Sequence, residues 1–589
     1  MAAEVVTEPT SIAPQGDFVG TLGLLTLRLH LSVGADGNPS GTLDSPNQGA
    51  FGIQCTDIQL QEGSLSFTVP AVGGRWSGTV ESDGTLAGTW NQGSPIALTF
   101  SPEKSFVAAQ TPSAVDGHWL GTLATPTRTL RIQLSIRSDQ LGQEYCSLDS
   151  LDQHAFGLTC TNVTLSGEQF SFDVPTVRGQ WSGTLSADRQ TLTGIWTQRQ
   201  PLPLTLQRQA AAIPPPQPLK VSYDPATAPL DAAALKASLD RELASAVQGG
   251  ALAVGKPIGI AVGIVRQGVR RFFCYGSAHW NSIFEIGSIT KTFTGLALAQ
   301  LVTQRKVRLD EPVRELLPAG TVEKPEGAEI TLRDLVTQHS GLPRLPSNFR
   351  PANPDNPYAD YHVADLYAYL REHGVSKPAD ASFLYSNLGM GLLGHALANR
   401  FERPYADLVQ AQILEPLDLH DTAVSLSDAQ LERFIPGHTA SGQPAPAWDQ
   451  DVLAGAGALR STVDDMLSYL EAQLHPDRAV RGIEPDAATL PSALVFSQQL
   501  QASAGPAQIA FAWLYLPEEG DYWHNGGTGG YTAYAFFNPR GDYAGVVLMN
   551  VGPDPRGSFA DLLGRHISQR FAGKPAVSLS NALSLLTPA

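Results

Sequence analysis

Apolar and polar residues alternate along most of the first 210 residues of this chain. In one run the apolar positions are Leu27, Leu29, Leu31 and Val33, and the polar positions between them are Arg28, His30 and Ser32. This period of two predicts β-strands with one buried face. Gly, Asp and Asn separate such runs, and the pattern shows no helical period. The region is therefore predicted to be all-β.

The all-β region repeats itself. Residues 26–33 match residues 129–136 at an offset of 103 positions, and the run Trp-Ser-Gly-Thr occurs at both 76–79 and 181–184. The offset drifts only slightly along the unit, which indicates duplication of one module of about 92 residues. Each copy is predicted to be a small barrel or sandwich, for which a lipocalin-like barrel is one candidate.

Residues that recur at equivalent positions in the two copies are predicted to lie in their cores. They are Trp76 and Trp181, Trp90 and Trp196, and Cys55 and Cys160. Buried thiols explain the cysteines most simply, and a bridge between Cys146 and Cys160 stays open. Two interpretations of the repeats also stay open: a rigid spacer or docking module, and a barrel that holds an apolar ligand or polymer.

After the repeats the periodicity becomes mixed. Two helices and four strands are predicted near the ends of this region: helix 231–248, strands Ile258–Val265 and Val269–Cys274, strands Tyr531–Phe537 and Ala544–Asn550, and helix 559–572. The long segment between the two pairs of strands has helical character. This order predicts an antiparallel sheet built from both ends of the region, with a helical block inserted between them.

These patterns together predict a multidomain chain in which two all-β repeats precede an α/β domain. The predicted parts are an N-terminal tail at 1–15, the first repeat at 16–108, the second repeat at 117–208, a Pro-rich linker at 209–229, the α/β domain at 230–573 and a C-terminal tail at 574–589. The linker is expected to be stiff because three prolines follow one another at 214–216.

Composition narrows the classes of partner. The 589 residues carry a formal net charge of −17, which argues against nucleic acid. No apolar run reaches the length of a membrane span, and four cysteines in so long a chain do not make a disulfide scaffold. Residues 1–4 lack the start of a signal peptide, but a processed periplasmic or secreted form stays open, as does the oligomeric state.

The search for a nucleophile leads to one pair of residues. Only two of the nine lysines have a serine three positions earlier. The pair Ser101 and Lys104 encloses a proline and ends a β-module, so chance explains it. Ser288 and Lys291 open an apolar segment that is predicted to be a buried helix. This spacing puts both side chains on one helix face with the serine at the N-terminus, and burial would favour a neutral lysine that accepts the serine proton.

Two further segments carry groups that fit such a site. Tyr385 is the only one of fifteen tyrosines with an asparagine, Asn387, two positions later. One interpretation is structural: Tyr385 is simply a buried tyrosine in a loop. The other is functional: its phenol lies near Lys291 and carries the proton, and Asn387 orients the substrate. The segment 523–531 has four glycines before a strand, so a ligand could approach its backbone closely. Without the other two motifs, this segment would be interpreted as a Gly-rich turn.

In this order, the three segments resemble the motifs of the penicillin-recognising serine hydrolases. Within this family, the chain most resembles the branch of class C β-lactamases, DD-peptidases, D-aminopeptidases and β-lactamase-like esterases. The family motifs Ser-x-x-Lys, Tyr-x-Asn and Lys-Thr-Gly or His-x-Gly fall on Ser288/Lys291, Tyr385/Asn387 and His524/Asn525/Gly526. The resemblance spans the α/β region and implies a mixed sheet flanked by helices, with a helical subdomain.

The resemblance also implies a mechanism that needs no metal or organic cofactor. Ser288 would form an acyl-enzyme, Tyr385 and Lys291 would take and return the proton, and backbone N–H groups would form an oxyanion hole. The residues implied in substrate binding are Asn387, His524, Asn525, Gly526 and Gly527, and the N–H groups of the oxyanion hole would come from Ser288 and Gly527. The implied partner is a small-molecule or peptide substrate.

One departure from the family pattern bears on the substrate. His524 stands where many β-lactamases have lysine, and Asn525 stands where they have a hydroxyl residue. An imidazole binds a carboxylate less firmly than a fixed ammonium does. We therefore expect an esterase or a D-amino-acid peptidase or amidase with at most weak β-lactamase activity. An acyltransferase and a non-catalytic penicillin-binding sensor stay as alternatives.

Overall fold

The computed structural model describes residues 14–586, except for 23–24, 34–38, 46–49, 62, 70–71, 82, 93–94, 103–108, 110, 126–128, 154, 199, 380 and 480–486. Lys104, most of the predicted N-terminal tail and the last three residues lie outside the described residues. The chain divides into two compact units, Met1–Pro216 and Gln217–Ala589. Within the described ranges, no helix is both long and apolar enough to cross a membrane.

The first unit begins with a closed barrel of eight antiparallel strands. They are β1 (Gly16–Leu22), β2 (Leu25–Val33), β3 (Pro39–Ser45), β4 (Ala50–Gln61), β5 (Ser64–Val69), β6 (Gly74–Val80), β7 (Leu86–Asn91) and β8 (Pro95–Pro102). Each strand pairs with the next, and β1 also pairs with β8. The alternation along β2 follows from this closure, because Leu27, Leu29 and Leu31 point into the barrel and are buried.

The second module has the same strand order, but its fourth strand is split in two. Its strands are β9 (Gly117–Ala124), β10 (Thr129–Ser138), β11 (Glu144–Ser150), β12 (Ala155–Thr159), β13 (Thr161–Ser166), β14 (Gln169–Val174), β15 (Gly179–Leu185), β16 (Thr191–Thr197) and β17 (Pro201–Gln209). The split falls at Cys160, whose backbone N–H donates to the carbonyl oxygen of Cys146 at 3.0 Å. Both cysteines are buried free thiols that contact each other.

The recurring tryptophans fill both modules, as the sequence predicted. Trp76 lies opposite Trp90 across β6 and β7, and Trp181 lies opposite Trp196 across β15 and β16. All four are at most 4% exposed. The indole N–H groups of Trp76 and Trp181 donate to strand carbonyls, at 2.8 and 3.2 Å. The polar edges of these two rings are thereby satisfied inside an apolar core.

The second unit is built on an eight-stranded antiparallel sheet. The strands of this unit are β18 (Tyr223–Asp224), β19 (Gly259–Arg266), β20 (Val269–Gly276), β21 (Phe284–Glu285), β22 (Gly437–His438), β23 (Pro444–Ala445), β24 (Arg460–Ser461), β25 (Ala502–Ala504), β26 (Ala507–Ile509), β27 (Leu514–Leu516), β28 (Asp521–Gly527), β29 (Thr532–Asn538), β30 (Tyr543–Met549) and β31 (Ala576–Val577). The order in the main sheet is β20-β19-β30-β29-β28-β27-β26-β25. Strands from the two ends of the α/β region therefore pair with each other where β19 meets β30.

Helices cover both faces of this sheet. The helices of this unit are α1 (Ala232–Glu242), α2 (Ala244–Gln248), α3 (Thr290–Thr303), α4 (Leu332–Val336), α5 (Val363–His373), α6 (Asn387–Arg400), α7 (Tyr405–Val409), α8 (Asp428–Leu431), α9 (Val463–Leu474), α10 (Leu490–Ser497), α11 (Phe559–Ala572) and α12 (Leu579–Ala582). One core joins a sheet face to α1, α11 and α12, and a larger core joins the other face to α3, α6, α9 and α10. Burial on both faces explains the unbroken apolar run of β19.

The predicted elements of the α/β region are confirmed in their main features. The four predicted strands correspond to β19, β20, β29 and β30, and helix 559–572 is α11. The predicted helix 231–248 breaks at Leu243 into α1 and α2.

The predicted C-terminal tail is wrong for residues 576–586. They form β31, α12 and a 3-10 turn, and Leu585 and Leu586 are buried against the α1/α11 face. The predicted linker also ends early, because its residues Tyr223–Asp224 pair with β31.

Candidate active site

Ser288 lies in a tight turn that leads into the buried helix α3. The strand β21 ends at Glu285, a 3-10 turn covers Gly287–Ile289, and α3 begins at Thr290. Nearly every residue of α3 is buried, as its apolar pattern predicted. Ser288 itself is partly exposed, whereas Lys291, one turn further on, has no exposed surface. The serine is thus accessible from solvent, with the amine behind it.

Two glycines allow the end of β28 to lie directly against this turn. Gly287 has φ +50°, and a Cβ there would come within 2.6 Å of the backbone nitrogen of Gly527. A Cβ on Gly526 would lie 2.0 Å from the carbonyl oxygen of Ile286. No side chain fits at either position without backbone movement. The segment predicted as a Gly-rich turn is therefore largely a strand, and its glycines bring two backbones together beside Ser288.

The amine of Lys291 has three polar contacts. Nζ lies 3.0 Å from Oγ of Ser288, 2.8 Å from Oδ1 of Asn387 and 2.7 Å from the carbonyl oxygen of Ala456. The amide and carbonyl oxygens can only accept hydrogen bonds. If the amine is neutral, its two N–H groups serve those oxygens and its lone pair points at the serine hydroxyl. This is the geometry that a general base needs.

The surroundings of Lys291 favour that neutral form. Complete burial holds its pKa well below the usual value, and the nearby Arg344 guanidinium lowers the pKa further. Among the described residues, no carboxylate pairs with the amine to oppose these effects. The amine can therefore take up a proton from Ser288 at a pH at which an exposed lysine would already be charged.

Tyr385 lies on the other side of the serine hydroxyl. Its phenol is hydrogen-bonded to Ser288, and its ring centroid is 4.8 Å from Nζ of Lys291. Burial raises the pKa of Tyr385 to about 12, although the bond to Ser288 and the charge of Arg344 oppose this rise. The phenol therefore keeps its proton at ordinary pH, whereas the buried amine has a free lone pair that can accept one. It can donate to Ser288 while Ser288 donates to Lys291.

Asn387 is the first residue of α6, where the hydroxyl of Ser386 caps the helix. Its Oδ1 accepts from Lys291, and its Nδ2 donates to the hydroxyl of Tyr358 at 3.0 Å. Both ends of the amide are therefore engaged by the chain. The side chain orients the lysine, and direct contact with a substrate stays a prediction.

His524 faces the same site from strand β28. The side chain is 3% exposed, and its ring centroid is 6.3 Å from that of Tyr385. Its Nδ1 lies 2.6 Å from the carbonyl oxygen of Asn525, so Nδ1 carries a proton. Burial is the main reason that the pKa of His524 falls to about 3, and the neighbouring Lys291 contributes to this fall. The imidazole is therefore neutral at ordinary pH and supplies no positive charge.

The predicted substrate contact at the side chain of Asn525 is wrong. Successive side chains of a strand point to opposite faces, so Asn525 points away from the face that carries His524. Its Nδ2 donates to Oδ2 of Asp561 on α11 at 2.6 Å. Asn525 thus ties β28 to α11 and leaves only its backbone near the site.

Sequence reasoning missed Arg344, which lies in the segment between α4 and α5. Its guanidinium carbon lies 5.2 Å from the ring centroid of Tyr385, and the residue is exposed. Its carbonyl oxygen accepts from the backbone N–H groups of Asn387 and Leu388, at 3.0 and 3.2 Å. Among the described residues, no carboxylate forms an ion pair with Arg344. A free cation is thus held at the mouth of the site, and only the fold brings it there.

The nucleophile, the amine, the phenol and the neutral imidazole therefore converge on one accessible point. A family model described as Beta-lactamase matches residues 250–567, which include all of them. The chain belongs to the Beta-lactamase family. The family match and the relatives of the chain show that it is a serine hydrolase that acts on amide or ester bonds.

Relatives within the Beta-lactamase family differ in their described activities. A "Beta-lactamase" from Pseudomonas fluorescens is 26% identical over 328 residues, covering 50% of this chain and 88% of the relative. The "D-alanyl-D-alanine-carboxypeptidase/endopeptidase AmpH" of Escherichia coli (strain K12) is 26% identical over 340 residues, covering 54% and 86%. A solved structure titled "A class C beta-lactamase" is 21% identical, with a TM-score of 0.47, and covers 61% of this chain and 98% of its own.

Proposed function

We propose that this chain hydrolyses an ester or a D-amino-acid amide through an acyl-enzyme on Ser288. The observation that carries the proposal is the buried amine of Lys291, whose two acceptor contacts leave its lone pair directed at Oγ of Ser288. A serine hydroxyl is a weak nucleophile until a base removes its proton. Lys291 meets that need through its contact with Oγ of Ser288.

The first half-reaction transfers the acyl group to the serine. Oγ of Ser288 forms a bond to the carbonyl carbon of the substrate, and its proton passes to Nζ of Lys291. The carbonyl oxygen becomes an oxyanion, for which the backbone N–H groups of Ser288 and Gly527 are the proposed donors. The bond to the leaving group then breaks, and Tyr385 passes a proton from the ammonium of Lys291 to the leaving oxygen or nitrogen.

The second half-reaction uses the same groups in reverse. A water molecule attacks the acyl carbon and gives its proton to Lys291 by way of Tyr385. Oγ of Ser288 leaves and recovers its proton from the ammonium. The acid product is released, and the serine and the neutral amine are regenerated.

The charge distribution of the site favours a substrate with an acidic group near the scissile bond. Neutral His524 cannot hold a carboxylate as an ammonium would. Arg344 provides a fixed charge, but at the mouth of the site, beside Tyr385. A substrate carboxylate bound by Arg344 would therefore occupy a different position from one bound by a lysine at residue 524 of β28. The proposal is therefore a peptidase or esterase with at most weak β-lactamase activity.

Removal of the charge of Arg344 tests this substrate class. We expect Arg344→Ala to lower kcat/KM for a D-alanyl peptide with a free carboxylate by roughly 10-fold or more, since a hydrogen bond to a charged group contributes about 1.5–3 kcal/mol. The loss should be smaller for the amide-capped peptide and for a neutral p-nitrophenyl ester. Arg344→Lys is the matched control that keeps the charge. Equal losses on charged and neutral substrates would remove Arg344 from substrate recognition.

The pH profile tests the assignment of the base. Because the pKa of Lys291 is lowered, kcat/KM for a neutral ester should rise with pH through that pKa and level off well below pH 10.5. His524, with a pKa of about 3, should add no inflection above pH 5. The rising limb should therefore coincide in the wild-type protein and in His524→Gln. A limb that disappears in His524→Gln would assign the titration to the imidazole instead.

A further inference from the structure

Three potential metal ligands meet on the face of the sheet that lies away from Ser288. Asp224 belongs to β18, Glu242 is the last residue of α1, and His566 lies in the middle of α11. One ligand atom from each residue lies within 4.8 Å of the other two, and this is the one such cluster among the described residues. The three elements come from widely separated parts of the chain. None of these residues takes part in the proposed hydrolysis.

The hydrogen bonding of His566 fixes which of its nitrogens faces the cluster. Nδ1 lies 2.7 Å from the carbonyl oxygen of Val577, and a carbonyl can only accept, so Nδ1 carries the proton. Nε2 of the neutral ring is therefore a bare lone pair. A backbone carbonyl that accepts from the other ring nitrogen is the usual arrangement for a metal-binding histidine.

The atoms that face each other in the cluster have no proton to share. Nε2 of His566 lies 3.4 Å from Oε2 of Glu242, but neither atom has a hydrogen-bond partner among the described residues. The side chain of His566 is completely buried. An imidazole lone pair directed at a carboxylate oxygen is unfavourable unless something positive lies between them.

The remaining contacts hold the carboxylates in place. Oε1 of Glu242 accepts from the hydroxyl of Ser238 at 2.7 Å, which leaves Oε2 facing the histidine. Oδ2 of Asp224 accepts from Nη2 of Arg570 at 2.9 Å. Arg570 is thus a competing cation, but it neutralises only one of the two carboxylates. The pair of Glu242 and His566 is left without a charge partner.

We infer that Asp224, Glu242 and His566 bind a divalent transition-metal ion of the zinc class. In a tetrahedral zinc site the ligand atoms are about 3.4 Å apart, because each lies about 2.1 Å from the metal. The separation of His566 and Glu242 already has this value. The partly exposed Asp224 lies within 4.8 Å of both and needs to move by at most about 1.4 Å. Both carboxylates are partly exposed, so water can complete the coordination. The ion would join β18 to α1 and α11.

The inference is tested by zinc binding to the full-length chain after removal of metal. Equilibrium dialysis should give one zinc per wild-type chain at micromolar free metal. Zinc at 100 times its dissociation constant should raise the melting temperature by about 3–5 °C. Glu242→Gln and Asp224→Asn should each weaken binding by more than the roughly 10–100-fold that loss of an outer partner causes. Asp240→Asn, an exposed neighbour on α1, is the matched control and should bind as the wild type does.

Two further measurements keep the result unambiguous. Cobalt(II) in place of zinc should give visible bands of a nitrogen and oxygen site, without the near-ultraviolet absorption that thiolate ligands of the free cysteines would cause. Circular dichroism and ester hydrolysis should show that Glu242→Gln and Asp224→Asn are folded. His566→Gln should also lose binding. Unchanged zinc affinity in folded Glu242→Gln, or a wild-type chain that retains no zinc, would overturn the inference.

Discussion

Replacement of Ser288 by alanine is expected to lower kcat/KM for an activated p-nitrophenyl ester by at least about 10⁴-fold, since loss of a serine nucleophile removes almost all transition-state stabilisation that depends on covalent chemistry. The variant should still fold, because Ser288 is partly exposed and alanine suits the turn before α3. Intact-mass spectrometry of the wild-type chain with a slowly hydrolysed ester should show one acyl adduct. The variant should show none.

A matched serine variant controls for unspecific effects. Ser245 is exposed on α2, on the side of the sheet away from the site, so Ser245→Ala should keep full activity. The acyl adduct should map to the peptide that contains residue 288. Wild-type rates in Ser288→Ala, or an adduct on another residue, would refute the nucleophile assignment. An adduct that forms but never turns over would favour the penicillin-binding sensor.

Replacement of Lys291 by methionine is expected to have the second-largest effect. Methionine fills the buried space but can neither accept the serine proton nor return it. General-base catalysis typically contributes about 10²–10⁴-fold, so kcat should fall within that range. The pH-dependent limb assigned to Lys291 should disappear as well, because the group that titrates is gone. Both changes are measured in one pH series of kcat/KM on the neutral ester.

Tyr385→Phe provides the comparison for the lysine variant. Because its pKa is raised, the phenol stays protonated and relays protons without being the first acceptor, so its loss should reduce the rate less than the loss of Lys291 does. It should leave the rising limb in place, since Lys291 still titrates. The opposite order, with Tyr385→Phe the more damaging change and the limb absent, would make the phenol the base. Melting curves of both variants exclude loss of fold as the cause.

The sequence was most informative where a local pattern of residues determines the structure. The period of two along 27–33 sufficed to predict a strand, and the apolar run after Ser288 sufficed for a buried helix. The Ser288–Lys291 spacing also predicted a contact, because it depends only on helix geometry. Tyr385 was harder, since 94 residues of helical block separate it from Lys291. Its motif, and not its periodicity, indicated the site.

Other features depend on tertiary packing and could not be predicted. Gly526 lies near the end of β28, and only the contact of this strand with the nucleophile turn shows why glycine is needed there. The side chain of Asn525 was assigned to the site from its place in the family motif, and only the alternation of side chains along β28 shows that it points to the opposite face. Arg344 gave no signal, since an exposed arginine in a loop is common. The histidine of the metal cluster was likewise indistinguishable from any other in an amphipathic helix.

The pairing of β19 with β30, which come from the two ends of the α/β region, has a consequence for biosynthesis. The backbone N–H of Gly259 donates to Oδ1 of Asn550, 291 positions later, and β19 pairs along its length with β30. A ribosome that adds about 5–20 residues per second needs roughly 15–60 s to cover that distance. During this time β19 has no partner on that side, and its apolar surface must be shielded by α1 or by a chaperone. Nascent chains halted before Met549 should therefore be far more sensitive to protease than the released protein.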